Sequence, residues 1–255
     1  MSAADSPLVN AWKPEAPWAV EALREAEFGD LRLIYHSSNY VYLATLQHRE
    51  HGEGLAIYKP EQGEQPLYDF PDGLYHREVA AYEFSRILGW PIIPPTVARE
   101  DGPHGPGSLQ LFIQHDPNEH YFELRDRDLY DEQFLRFAYF DLAANNADRK
   151  GGHLLLDPDG RIWGIDNGLC FHAIEKFRTV IWDYAGNVMP AAWMEDLVRV
   201  RGCLALADPT TEAFRALLSR AEIDALVARL DHLIGHPVLP EMEDFARRVH
   251  PWPLV

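Results

Sequence analysis

Two short polar stretches, Asn145-Asn146-Ala147-Asp148-Arg149-Lys150 and Ile165-Asp166-Asn167-Gly168, decide how this chain is interpreted. Between them lie the apolar run Leu154-Leu155-Leu156, a turn rich in Asp, Pro and Gly, and a second short apolar segment. This pattern predicts a β-hairpin that brings Asp148 and Asp166 to the same end of a small sheet. One carboxylate can orient a hydroxyl group while the other holds a metal ion, and phosphoryl transfer requires both tasks.

Two further segments precede this block. Ala56-Ile57-Tyr58-Lys59-Pro60 is an apolar strand candidate that ends in a lysine, and a helix candidate over residues 76–88 carries Glu78 and stops at Gly89. Strand patterns cluster in the first half of the chain and helix patterns in the second. This distribution predicts an α+β fold with two lobes, which leave a cleft suited to a cofactor.

The four segments together resemble the type II phosphatidylinositol 4-kinases, whose loops read roughly N-T-D-R-x-x-x-N-W-L and I-D-N-G-L-A-F. The order of lysine, glutamate, catalytic loop and metal loop is that of the whole protein-kinase-like superfamily. The resemblance implies one kinase-like domain over residues 1–255. We expect an extended arm at 1–17, a strand-rich N-lobe at 18–113 and a helical C-lobe at 114–255.

The resemblance also implies an ATP site. Lys59 would contact the nucleotide phosphates and Glu78 would hold Lys59 by an ion pair. The small polar residues of a phosphate-covering loop would be Ser37, Ser38 and Asn39, although the glycine-rich motif of protein kinases is absent. Chain order alone assigns Leu111 and Ile113 to the adenine pocket.

The same comparison assigns the catalytic and metal residues. Asp148 would orient or deprotonate the acceptor hydroxyl, and Arg149 would either neutralise developing charge or pair with Asp148. Asp166 would bind Mg²⁺ through hard carboxylate oxygens. The family has a second metal ligand, an asparagine, where this chain has His153. An imidazole nitrogen suits Mn²⁺ better than Mg²⁺, so Mn²⁺ is the alternative ion if His153 is a ligand.

The composition of the chain limits which classes of binding partner are expected. The chain has 255 residues and a formal net charge of −17, which argues against nucleic acid and against stable anchoring at anionic membranes. Its two cysteines, Cys170 and Cys203, form no disulfide framework, so a reducing cytoplasm is expected.

We therefore predict an ATP-dependent kinase that acts on a hydroxyl group of a protein or a small polar molecule. Two alternatives remain open. His153 at the metal-ligand position favours a pseudokinase, which binds nucleotide without turnover. An AMP transferase would use the same fold and the same phosphate-binding residues.

Overall fold

The computed structural model describes residues 8–34, 39–245 and 247–255. Within these ranges the chain forms a five-stranded antiparallel sheet, a two-stranded sheet and seven α-helices. The strands are β1 (Glu27–Ile34), β2 (Val41–His48), β3 (Gly52–Pro60), β4 (Thr96–Arg99), β5 (Gly107–Leu111), β6 (Leu154–Leu156) and β7 (Ile162–Gly164). The helices are α1 (Ala19–Glu25), α2 (Tyr75–Leu88), α3 (Tyr121–Leu124), α4 (Asp131–Ala144), α5 (Ala191–Ala205), α6 (Glu212–Arg215) and α7 (Arg220–Gly235).

The larger sheet builds the N-lobe, with strand order β1-β2-β3-β5-β4. Strand β3 alternates along its length, because Ala56 and Tyr58 are buried in the N-lobe core while Ile57 and Lys59 point to the other face. The register pairs Lys59 with Ser108 on β5. Alternation therefore places the lysine on the face of the sheet opposite the N-lobe core.

The segment before α1, predicted as an extended arm, contains no helix or strand in residues 8–17 but is packed onto the N-lobe. Trp12 is fully buried in the N-lobe core, and its indole N–H donates to the carbonyl of His51. The Asn10 amide donates to the carbonyls of Leu55 and Phe112 and so joins β3 to the end of β5. Residues 8–17 are thus part of the lobe.

A second, larger core is built mainly from the helices of the C-lobe, and α2 contributes to it through Phe84, Ile87 and Leu88. The expected stop of α2 is present: Gly89 adopts a left-handed φ of 75° and its N–H closes the last turn on Arg86. Helix α4 ends in the same way at Asn145, with φ 52°. This second cap turns the chain directly into the predicted catalytic loop.

Strands β6 and β7 form the predicted hairpin, with Leu155 opposite Trp163. In the described part of residues 242–249 the only helical element is a 3₁₀ turn at Met242–Asp244. The backbone of this stretch bonds to the C-lobe, since the Val249 carbonyl accepts from the N–H of Thr179. Helix α1 ends at Glu25, because Glu27 already pairs with Gln47 in the sheet.

Candidate active site

Lys59, Glu78 and Asp166 meet between the lobes, although the chain separates them widely. The ammonium of Lys59 lies 2.5 Å from Glu78 Oε1 and 2.8 Å from Asp166 Oδ1, so the predicted ion pair is present. Burial alone would lower the pKa of Lys59, but the carboxylates of Asp166 and Glu78 raise it above its ordinary value. Lys59 therefore stays charged, held by one carboxylate from α2 and one from the loop after β7.

Glu78 also fixes the loop after β7. Its Oε2 accepts from the backbone N–H of Asn167 at 2.9 Å, while its Oε1 accepts from Lys59. Asp166 itself has a left-handed φ of 57°, a conformation that aspartate tolerates better than most side chains. The lysine lowers the pKa of Asp166 well below its usual range, and burial offsets only part of that effect. The carboxylate is thus ionised and about half exposed, at 49%.

Asp148 lines the same cavity, in the loop that follows α4. Its backbone N–H is held by the side chain of Asn146, and its Oδ2 lies 3.0 Å from the ammonium of Lys150. Burial raises the pKa of Asp148, and Lys150 opposes this shift. The sequence analysis assigned no function to Lys150, although this lysine lies only two residues after Asp148 in the chain.

Arg149 has a different environment from the one predicted. Its guanidinium is completely buried and bonds both oxygens of Asp141 at 2.8 and 2.9 Å. It also donates to the Asn167 side chain at 2.8 Å and to the Ile165 carbonyl at 2.9 Å. The expected pairing of Arg149 with Asp148 is therefore wrong: the arginine connects α4 to the loop that carries Asp166.

His153 lies in the 3₁₀ turn Gly151–His153, directly before β6. Its Nε2 is 3.2 Å from Asp166 Oδ2, so the two predicted metal residues contact each other. The pKa of His153 is lowered to about 4, mainly by burial; the carboxylate of Asp166 opposes this shift, and the neighbouring cations Arg149, Lys150 and Lys59 add to it. The imidazole is consequently neutral at pH 7, and no transition near its ordinary pKa is expected.

The cleft encloses about 260 Å³ and is lined by Lys59, Glu78, Asp148, Asp166 and Gly168, together with Asn39 and neighbouring residues of the N-lobe. Ser37 and Ser38 lie outside the described residues. A larger cavity of about 790 Å³ lies in the C-lobe beside α7, and none of the predicted site residues lines it. Charge and chemistry therefore identify the smaller cavity as the candidate site.

The two predicted adenine residues do not line that cavity. Leu111 packs in the N-lobe core, and its N–H is already bonded to the carbonyl of Pro95. Ile113 joins a separate apolar cluster with Leu155 and Trp163, against which Ile165 is packed. Since Ile165 directly precedes Asp166, this cluster adjoins the charged part of the site. Leu111 instead stabilises the N-lobe core.

The residues present fit a hard divalent ion that is also bound by phosphate. Within the described residues, no group of three or more His, Cys, Asp and Glu side chains is arranged to hold a metal by itself. Asp166, however, presents an ionised and partly exposed carboxylate to the cavity. Mg²⁺ is usually held by one or two carboxylates together with water and substrate phosphates.

The model of the family described as phosphatidylinositol 3- and 4-kinase matches residues 39–219, which include every described residue of the cleft named above. The chain belongs to this family. Protein Rv2133c of Mycobacterium tuberculosis is 38% identical over 269 residues, covering 91% of this chain and 93% of that protein.

One solved structure supports the two-lobed fold. The Helicobacter pylori proinflammatory kinase CtkA aligns with a TM-score of 0.50 and 12% identity, over 85% of this chain and 94% of that one. The hydra Fam20 structure with sugar aligns with a TM-score of 0.45 and 14% identity, over 84% and 85% of the two chains. The predicted α+β kinase-like fold is confirmed, and family membership supports a phosphotransferase.

The part of the chain that the structure describes contains no helix long and apolar enough to cross a membrane.

Proposed function

We propose that this protein transfers the γ-phosphoryl group of ATP, with Mg²⁺, to a hydroxyl group of a protein or a small polar molecule. One observation carries the proposal. The ion-paired cluster of Lys59, Glu78 and Asp166 lines one cavity together with Asp148, whose carboxylate lies 3.0 Å from the ammonium of Lys150. Phosphoryl transfer depends almost entirely on positioning and charge neutralisation, and this arrangement supplies both.

Lys59 is the residue that would bind the nucleotide phosphates. Its ammonium is pre-oriented by Glu78, which is in turn held by the N–H of Asn167, so little side-chain freedom is lost when phosphate binds. Asp166 would hold the magnesium ion, whose chemistry is to neutralise charge on the phosphate oxygens.

Asp148 would accept the proton of the acceptor hydroxyl. In the transfer step, the hydroxyl oxygen forms a bond to the γ-phosphorus while the bond from that phosphorus to the bridging oxygen breaks, which releases ADP. Lys150 lies 3.0 Å from Asp148, so its positive charge is close to the point where the phosphoryl group is transferred. A fixed cation at that point stabilises the transition state more than the ground state.

The experiment uses purified protein and ATP labelled on either the γ- or the α-phosphate. We expect γ-label to be transferred to the protein itself, to water or to an added acceptor, in the presence of Mg²⁺. Asp148→Asn should lower the rate by about 10²-fold or more with nucleotide binding retained, because only the proton acceptor is lost. Asp166→Asn should weaken Mg²⁺-dependent nucleotide binding as well.

Two outcomes would reject the proposal. Incorporation of α-label with release of pyrophosphate would establish AMP transfer. Binding of Mg²⁺-ATP by the wild-type protein, without transfer of either label to any acceptor including water, would establish a pseudokinase.

A further inference from the structure

His153 occupies the position where the family has a metal-ligating asparagine, and its two ring nitrogens have different neighbours. Nδ1 lies 3.4 Å from the backbone nitrogen of Lys150 and accepts from that N–H. Nε2 lies 3.2 Å from Oδ2 of Asp166. Only 12% of the side chain is exposed, so these two contacts dominate the environment of the ring.

The neighbour of Nδ1 determines which nitrogen carries the proton. A backbone amide can only donate, so Nδ1 must offer its lone pair. In the neutral imidazole the single proton then resides on Nε2. Nε2 faces a carboxylate, which can only accept when ionised, so the contact with Asp166 is a hydrogen bond donated by His153.

The separation between Nε2 and Oδ2 does not distinguish this hydrogen bond from two ligands of one ion. Two ligands at right angles around an ion with bonds of about 2.1 Å would themselves lie about 3 Å apart. A metal on Nε2, however, would displace the proton to Nδ1. Nδ1–H and the Lys150 N–H would then point at each other, two donors without an acceptor.

We propose that His153 is a positioning residue that donates a hydrogen bond from Nε2 to Asp166 and does not bind the metal. This inference rests on the proposed function in one respect, the role of Asp166 as the magnesium ligand. The hydrogen bond occupies one lone pair of Oδ2 and holds the carboxylate in its left-handed loop, while the exposed side of Asp166 stays open to the ion. The ion would then be held by Asp166 together with water and substrate phosphates, without a ligand from His153.

The chain permits a matched pair of substitutions. In His153→Gln the amide NH₂ reaches the position of Nε2 and can still donate to Asp166. In His153→Asn the amide reaches only the position of Nδ1, but the side chain is the family's own metal ligand. A positioning donor predicts that glutamine preserves the site, whereas a ligand role predicts that asparagine does.

The binding experiment measures the affinity for Mg²⁺-ATP by isothermal titration calorimetry, for the wild type and both variants. We expect His153→Gln to stay within about threefold of the wild type and His153→Asn to lose about tenfold or more, the range for one hydrogen bond to a charged group. The reverse order would overturn the proposal, and so would equal affinities. Circular dichroism checks that both variants are folded.

A second readout needs no variant. Nitrogen-15 NMR of the histidine ring in the wild-type protein should show an unprotonated Nδ1 and a protonated Nε2, unchanged when Mg²⁺ and ADP are added. A ring protonated on Nδ1, or loss of the Nε2 proton on addition of Mg²⁺, would overturn the inference. If the wild type does not bind Mg²⁺-ATP at all, the proposed function fails separately, and the NMR spectrum still decides the tautomer.

Discussion

The charge of Lys150 affects the protonation of its neighbour Asp148. The carboxylate is largely buried and its pKa is raised for that reason, while the ammonium 3.0 Å away lowers it again. Asp148 can accept a proton only when ionised, so activity should fall as the pH drops through its pKa. Lys150 thus has two effects, one on the transferred phosphoryl group and one on the proton acceptor.

The first prediction concerns the pH dependence. Lys150→Met removes the charge that lowers the pKa of Asp148, so the acidic limb of the pH–rate profile should move to higher pH. The maximal rate should fall by about 10²-fold, because a fixed cation is lost near the transferred group. Phosphotransfer measured from acidic to neutral pH checks both effects. Lys150→Arg keeps the charge and should leave the limb in place; a limb that does not move in Lys150→Met would contradict the assignment.

At the scale of elements, a buried ion pair joins α4 to both functional loops. Arg149 and Asp141 are completely buried, and Asn146, Asn167 and the Ile165 carbonyl complete their hydrogen bonds. A buried polar network stabilises only when all its members are satisfied, as they are here. One feature of the sequence indicates this buried network: Asp141 is the single acidic residue in the apolar run Phe137-Ala138-Tyr139-Phe140-Asp141-Leu142.

The second prediction concerns this network. Arg149→Met should lower the free energy of unfolding by about 3–5 kcal/mol, because it leaves the Asp141 carboxylate buried without its cation. Urea unfolding followed by circular dichroism measures the loss. The double variant Arg149→Met with Asp141→Leu should be more stable than Arg149→Met alone, since the uncompensated charge is then removed. A loss below about 1 kcal/mol for Arg149→Met would show that the pair does not hold the loops.

At the scale of the whole molecule, α2 connects the two lobes. It carries Glu78 towards the N-lobe lysine, yet its apolar residues belong to the large core of the C-lobe. Arg77, the neighbour of Glu78, is buried, bonds Glu222 at the start of α7 and donates to the Cys170 carbonyl at 2.5 Å. The N-lobe predicted over residues 18–113 therefore includes a helix that is fixed mainly to the C-lobe. The ion pair of Lys59 and Glu78 is held in place by contacts with both lobes.

The third prediction tests this connection. Arg77→Met should speed hydrogen exchange in both α2 and α7 and lower the free energy of unfolding by about 3–5 kcal/mol, because Glu222 keeps a largely buried charge without its partner. Nucleotide binding should weaken as Glu78 loses its fixed position. Arg220→Met at the start of α7 is the matched control: its pair with Asp224 is exposed on both sides, so its loss should cost less than about 1 kcal/mol. Equal effects of the two variants would contradict the role of Arg77.

Several features of the fold were predictable from local patterns. The apolar run that ends in Lys59 predicted the strand that carries it, the helical period and Gly89 bounded α2, and the apolar runs around a turn predicted the hairpin between Asp148 and Asp166. These features follow from sequence because neighbouring residues set the backbone periods of two and 3.6. The order of the motifs then indicated the kinase-like fold.

The contacts between distant side chains were not predictable from local patterns. Arg149 pairs with Asp141 rather than with its neighbour Asp148, Arg77 bonds a glutamate 145 positions away, and Trp12 belongs to a core that its proline-rich surroundings did not indicate. The hydrogen-bond partners of the two nitrogens of His153 were likewise not predictable from local patterns. Side-chain partners across long separations depend on how helices and strands pack, and a local period contains no information about which surfaces will face each other.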